Sequence, residues 1–156
     1  YVLTGFDVEA SRHLEVGGML IFVTGVAPAL GAMSVPRLAE LFPERRLVAG
    51  LLVISSLCLV AFAGASSVYL YGGLRFLQVL SIAPVFPLVV ARVAQHAGGA
   101  AIGVINSARI GAGFLGPVVA TTLLTWTSPG AVYALLAAIG LACVPLVRLR
   151  EARTAP

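Results

Sequence analysis

Apolar positions in this chain come in long runs rather than in alternation. The first reaches from Leu14 to Val35, after the polar stretch Asp7 to His13 and before Pro36. The others cover Leu47 to Ala65, Val68 to Ala91, Ala100 to Leu124 and Ala131 to Val147. Ser66 and Ser67 make a minimal turn between the second and third runs, Gln95 to Gly99 a short polar loop, and Thr125 to Gly130 another turn. Each run is close to the roughly 20 residues a helix needs to cross a bilayer, and about twice the length of a barrel strand. The pattern predicts an all-α polytopic transmembrane bundle with spans at 14–35, 47–65, 68–91, 100–124 and 131–147.

Composition fits a lipid solvent. The 156 residues are 60% hydrophobic and 10% charged, with a mean hydropathy of +1.04. Soluble domains carry about 25% charge, and a soluble fold of this size could not hide so much apolar surface. The formal net charge of +4 does not indicate nucleic acid, because the basic residues punctuate apolar runs instead of forming a patch. Cys58 and Cys143 lie inside runs, without CxxC spacing or a nearby histidine, and read as small buried hydrophobes. His13 and His96 fall in loops. No Ser/His/Asp set, metal-ligand cluster or phosphate loop points to an enzyme, a metal or a cofactor. The chain opens on Tyr1, and Tyr1 to Phe6 look like the end of an earlier helix, so the sequence reads as a piece of a longer one.

All ten basic residues are arginines, and their placement predicts a topology. Arg37, Arg45 and Arg46 follow the first span, Arg92 the third, and Arg148, Arg150 and Arg153 the fifth. The opposite loops hold Arg12 beside Asp7, Glu9 and Glu15. The positive-inside rule makes the Arg-rich side cytoplasmic, with the carboxyl terminus inside. Tyr69, Tyr71 and Trp126 then fall at the outer interface, where amphipathic rings are favoured.

Two arginines lie within spans. Arg75 sits seven residues into the third, with Gln78 one turn further on the same face. A charge at that depth should face the bundle interior or water, unless it snorkels to the outer interface. Arg109 in the fourth span follows Asn106 by three residues, and Gly113 and Gly116 continue the stripe. That pair could bind an anionic or polar substrate group, or equally the carbonyls beside a proline kink. No carboxylate lies well inside a span; Glu15 is at a border, and Glu40 and Glu44 are in a loop. Proton coupling would therefore draw on a carboxylate elsewhere in the protein. Gly17, Gly18, Gly25 and Gly31, like Gly103 and Gly111 in the fourth span, allow close helix approach, and Pro28, Pro84, Pro87 and Pro117 should kink their helices.

Three segments resemble the major facilitator superfamily, particularly its bacterial multidrug-efflux type. Pro36 to Arg46 resembles the loop motif G-x-L-a-D-R-x-G-R-R: Arg45 and Arg46 match and Glu40 replaces the aspartate, whereas Pro36 and Pro43 replace glycines, and Leu41 and Glu44 replace basic positions. Arg75 to Gln78 resembles R-x-x-Q-G, with Val79 for the glycine. Gly113 to Pro117 resembles the antiporter Gly-Pro motif, with Ala112, Ala120 and Thr121 at positions often glycine. The resemblance implies alternating access between two six-helix halves. This chain would be most of one half: the second, as helices eight to twelve, or alternatively the first, as helices two to six. It further implies a cytoplasmic latch at Glu40, Arg45 and Arg46, a cavity-facing arginine at Arg75, and a packing face for the opposite half at Gly113, Gly116 and Pro117.

The expected function is secondary active transport in a bacterial inner membrane, with proton-coupled efflux of small hydrophobic molecules. The expected partners are the lipid bilayer, a small-molecule substrate, protons and the other half of the same chain. Arg75, Gln78, Asn106 and Arg109 are the candidate substrate or coupling residues. The competing readings are a sugar or metabolite permease of the same superfamily and a helical bundle that transports nothing.

Overall fold

A computed structural model describes residues 12–149, apart from the side chains at 96–98 and 148–149. The expectations placed on Tyr1 to Phe6, Asp7, Glu9, Arg150 and Arg153, and on the side chains of His96 and Arg148, lie outside the described residues. The remainder is helical: α1 His13–Leu41, α2 Glu44–Phe62, α3 Val68–Ile82, α4 Val85–Trp126 and α5 Pro129–Leu149. Five stretches are long and apolar enough to cross a membrane: His13–Leu41, Glu44–Phe62, Val68–Gln95, Gly99–Trp126 and Pro129–Val147. The chain is an all-α, five-span helical bundle suited to a lipid bilayer.

The boundaries differ from the sequence reading in three places. First, α1 does not stop before Pro36 but runs through it to Leu41, and α2 begins at Glu44, so most of the expected loop Pro36 to Arg46 is helix. Proline is tolerated inside membrane helices where neighbouring groups satisfy the carbonyl it frees, here that of Ala32. What breaks the helix is Pro43. It forces the preceding Phe42 into extended backbone (φ −131°, ψ 141°), leaving a two-residue connection.

Second, the third span is broken in its middle. Pro84 has no N–H for the Leu80 carbonyl, and Pro87 none for that of Ala83. α3 therefore ends at Ile82 and α4 starts at Val85. Third, helical hydrogen bonding runs through Gln95 to Gly99, where a loop was expected. α4 is nevertheless not a rod. The Arg109 guanidinium lies 4.6 Å from the centroid of the Phe86 ring, whereas residues that far apart in a straight helix would be separated by about 34 Å. The chain must reverse midway between them, near 97–98. The expected change of direction is present, as a sharp break between two helical stretches with no extended residue between them. α4 thus supplies the Arg92 end of the third span and then, from Gly99, the whole fourth span.

Pairing of the helices follows from named contacts. Leu47, Val48 and Leu88 form a core cluster with Val35, Leu38 and Val147 packed on it. The carboxyl end of α1, the start of α2, the part of the third span around Leu88 and the end of α5 therefore meet at one end of the bundle. This is the end where the described Arg37, Arg45, Arg46 and Arg92 fall. At the other end Phe62 stacks on Tyr71 and on Tyr133, with ring centroids 4.9 and 5.1 Å away. Ser67 caps α3 by accepting from the Leu70 N–H at 3.2 Å. α2 packs most extensively on α5 and then on α3, and α1 packs on α3.

Two small residues set the closest approaches. A Cβ at Gly31 would come within 2.8 Å of the Leu80 carbonyl oxygen, 3.1 Å of Ala83 Cβ and 3.2 Å of Pro84 Cδ. α1 therefore leans directly on the broken part of the third span, over the carbonyl that Pro84 frees. At Gly140 a Cβ would run into Ser56 Oγ, which fixes α5 against α2. In lipid there is little hydrophobic force between helices, so such close packing is a main source of cohesion.

Candidate functional site

The interior of the bundle is not wholly apolar. Tyr71, Arg75 and Gln78 follow one another at spacings of four and three, so they share one face of α3. That face is turned to α2 and α5. Tyr71 and Tyr133 hydroxyls are 3.2 Å apart. The Arg75 Nη1 donates to Gln78 Oε1 at 2.9 Å, and Gln78 Nε2 donates to Ser55 Oγ on α2 at 3.3 Å. Gln78 and Ser55 are buried, and Arg75 is half-buried. Counting from Val68, Arg75 is about 10 Å and Gln78 about 15 Å along the span. The amide answers a need of the site: it accepts from the cation and passes its own donor to a hydroxyl, so each polar group has a partner away from water. The guanidinium is directed toward the bundle, as the interior alternative required.

A second feature lies on a different face of α3. A cleft of about 370 Å³ opens between α1 and α3 at the aromatic end, lined by Val16, Met19, Leu20, Val23, Gly72 and Phe76 among others. Arg12 and Glu15, paired at 4.0 Å, stand at its mouth. Apart from that pair and Tyr69 its walls are apolar, and its size is at the lower end for small-molecule pockets. Arg75 is not among the residues that line it.

The other expected site residues fall elsewhere. Asn106 and Arg109 are exposed on the fourth span, and Arg109 lies over Phe86. Gly113, Gly116 and Pro117 are also exposed, and a Cβ at either glycine would meet no atom within 4 Å. Glu40 is exposed in the last turn of α1, Arg46 is exposed and Arg45 is half-buried, on either side of the Phe42–Pro43 connection. The ion pair described at this end joins Glu44 to Arg92, 4.0 Å apart. Glu44 is one of the departures from the loop motif, and it ties the start of α2 to the end of the third span. Of the four candidate substrate or coupling residues, the fold therefore joins Arg75 with Gln78 and leaves Asn106 and Arg109 as a separate pair.

Sequence reasoning missed Ser55, Ser56, Tyr133, Phe86 and the Glu44–Arg92 tie. Ser55 and Ser56 were the detectable ones, being two adjacent hydroxyls in the middle of an apolar run. The others carry no local signal. Tyr133 and Phe86 matter only for what tertiary packing sets beside them.

The fold and the interior polar chain define a multi-pass membrane helical protein. Comparison with protein-family models, with curated proteins and with solved structures finds no match to the chain.

Proposed function

We propose that the chain is part of a secondary active transporter of the major facilitator type, exporting small hydrophobic molecules in exchange for protons by alternating access. The observation that carries this reading is the hydrogen-bonded chain Arg75–Gln78–Ser55 inside membrane helices. An arginine within a span costs at least about 2.5 kcal/mol, and a passive bundle has no use for it. The third span, broken at Ala83–Pro84, suits a protein that rocks. The apolar cleft between α1 and α3 has the character of a site for an apolar molecule.

In this reading Arg75 and Gln78 serve substrate or proton coupling, with the titrating carboxylate supplied by the remainder of the transporter. Glu40, Arg45 and Arg46 belong to a latch at the Arg-rich end, alongside the Glu44–Arg92 pair. Gly113, Gly116 and Pro117 form a packing face. The Arg-rich end and the carboxyl terminus are cytoplasmic, and the membrane is a bacterial inner membrane.

The deciding experiment places Arg75→Ala in the full-length protein, in cells lacking their own efflux pumps. Loss of resistance and of substrate efflux at unchanged membrane level is expected; unchanged transport would remove Arg75 from the mechanism. Orientation is checked with cysteines at Ser128 and Leu41. An impermeant thiol reagent added to intact cells should label position 128 and spare position 41, and the reverse pattern would invert the topology.

A further inference from the structure

Arg109 is in an environment that a lone bundle does not explain. None of the most apolar stretch of Gly99–Trp126 is buried against the other helices. Arg109 lies about 15 Å from Gly99 and about 25 Å from Trp126 along this span, inside a hydrocarbon core roughly 30 Å thick. Its guanidinium is held at that depth by the ring of Phe86, 4.6 Å away, instead of reaching for the interface. The ring face attracts the cation but offers no oxygen to its five N–H donors. A charge at this depth must face protein or water.

The surface around Arg109 suits a helix. Asn106, Arg109, Gly113 and Gly116 share one face, and both glycines are open to an approaching backbone. A second copy of this chain is the wrong occupant. Among the described residues the acidic groups are Glu15 near one end and Glu40 and Glu44 at the other, so two copies would set Arg109 against apolar surface or against another arginine.

The geometry points to a docking face for a different membrane helix, one that carries an aspartate or glutamate at mid-depth opposite Arg109, with Asn106 beside the pair and Gly113 and Gly116 at the closest approach. Burial of the cation against a carboxylate is what offsets its removal from water. This inference rests on depth, charge and exposure, and it holds whether or not the protein transports anything.

The test uses the full-length protein in its own membrane, with a benzophenone amino acid at Ala112, which is exposed at the edge of that face, and, as control, at the exposed Leu141 on α5. Peptide sequencing of the Ala112 crosslink should identify a membrane helix with an Asp or Glu within one turn of the linked residue. Arg109→Gln should lower that crosslink about 30-fold at matched membrane level, as expected for truncating one partner of a buried charge pair. Arg109→Glu should abolish it, and changing the partner carboxylate to arginine should restore it. A crosslink to lipid alone, to a second copy, or to a helix without a carboxylate would overturn the assignment. So would an unchanged yield in Arg109→Gln, which is decisive even if Arg109→Glu fails to insert.

Discussion

Arg75 and Arg109 both lie within apolar spans, but the packed part of the bundle half-buries one and the fourth span leaves the other exposed. The contrast extends to their surroundings. Around Arg75, Gln78 and Ser55 complete a hydrogen-bonded chain, Pro84 is fully buried and Gly31 touches a neighbouring carbonyl. Around Arg109, Pro117 is exposed, and Gly111, Gly113 and Gly116 have no neighbour within reach of a Cβ. The same residue types, arginine, glycine and proline, thus stabilise one region from within and prepare the other for something outside it. Residue type alone did not say which.

Substitutions can break or sharpen this contrast. The largest effect is expected at Gly31→Ala, where the new Cβ would meet a backbone oxygen that cannot rotate away. A loss of about 3 kcal/mol, typical of severe overpacking, should appear in unfolding of the detergent-solubilised protein; unchanged stability would mean that α1 does not rest on the broken span. Next comes Gln78→Leu, which leaves Arg75 and Ser55 without their shared partner. It should cost about 2 kcal/mol in the same measurement, whereas Asn106→Leu on the open face should cost little. A smaller loss, about 1 kcal/mol, is expected for Gly140→Ala, because Ser56 can partly rotate away. Adding Ser56→Ala should recover most of it, and a double-mutant cycle without coupling would place the two residues apart. The smallest effect belongs to Gly113→Ala. Unfolding of this bundle should shift by no more than about 0.5 kcal/mol, while association with an outside helix should weaken.

Much of the fold was legible because membrane helices announce themselves by length and apolar content. The five spans and the turn at Ser66–Ser67 could be read directly, and so could the reversal near Gln95 to Gly99. The errors came from prolines. Pro36 looked like a helix end but was carried through, while Pro43, two residues past Leu41, made the actual break. Propensity treats the two alike, whereas the outcome depends on whether nearby groups can satisfy the carbonyl each one frees. Pro84 was expected to kink its helix and does so, next to Gly31, which no local pattern pairs with it.

The candidate site was legible only along single helices. Arg75 with Gln78, and Asn106 with Arg109, follow from spacings of three. Ser55 as the acceptor on α2, Tyr133 as the partner of Tyr71 and Phe86 beneath Arg109 could not be foreseen. Each comes from a separate helix or from the far side of a reversal.

By itself, then, the sequence determined the solvent, the number of crossings and the segregation of arginines to alternate loops. Those properties depend on local composition and on transfer free energies summed along the chain. The tertiary structure alone decided which face of each helix meets another. It joined Arg75 to a buried amide, left Arg109 exposed, and made Gly31 and Gly140 contacts while leaving Gly113 and Gly116 open. The physical reason is that helix association in lipid depends on close fit and on satisfied polar groups, which are properties of pairs of surfaces, not of runs of residues.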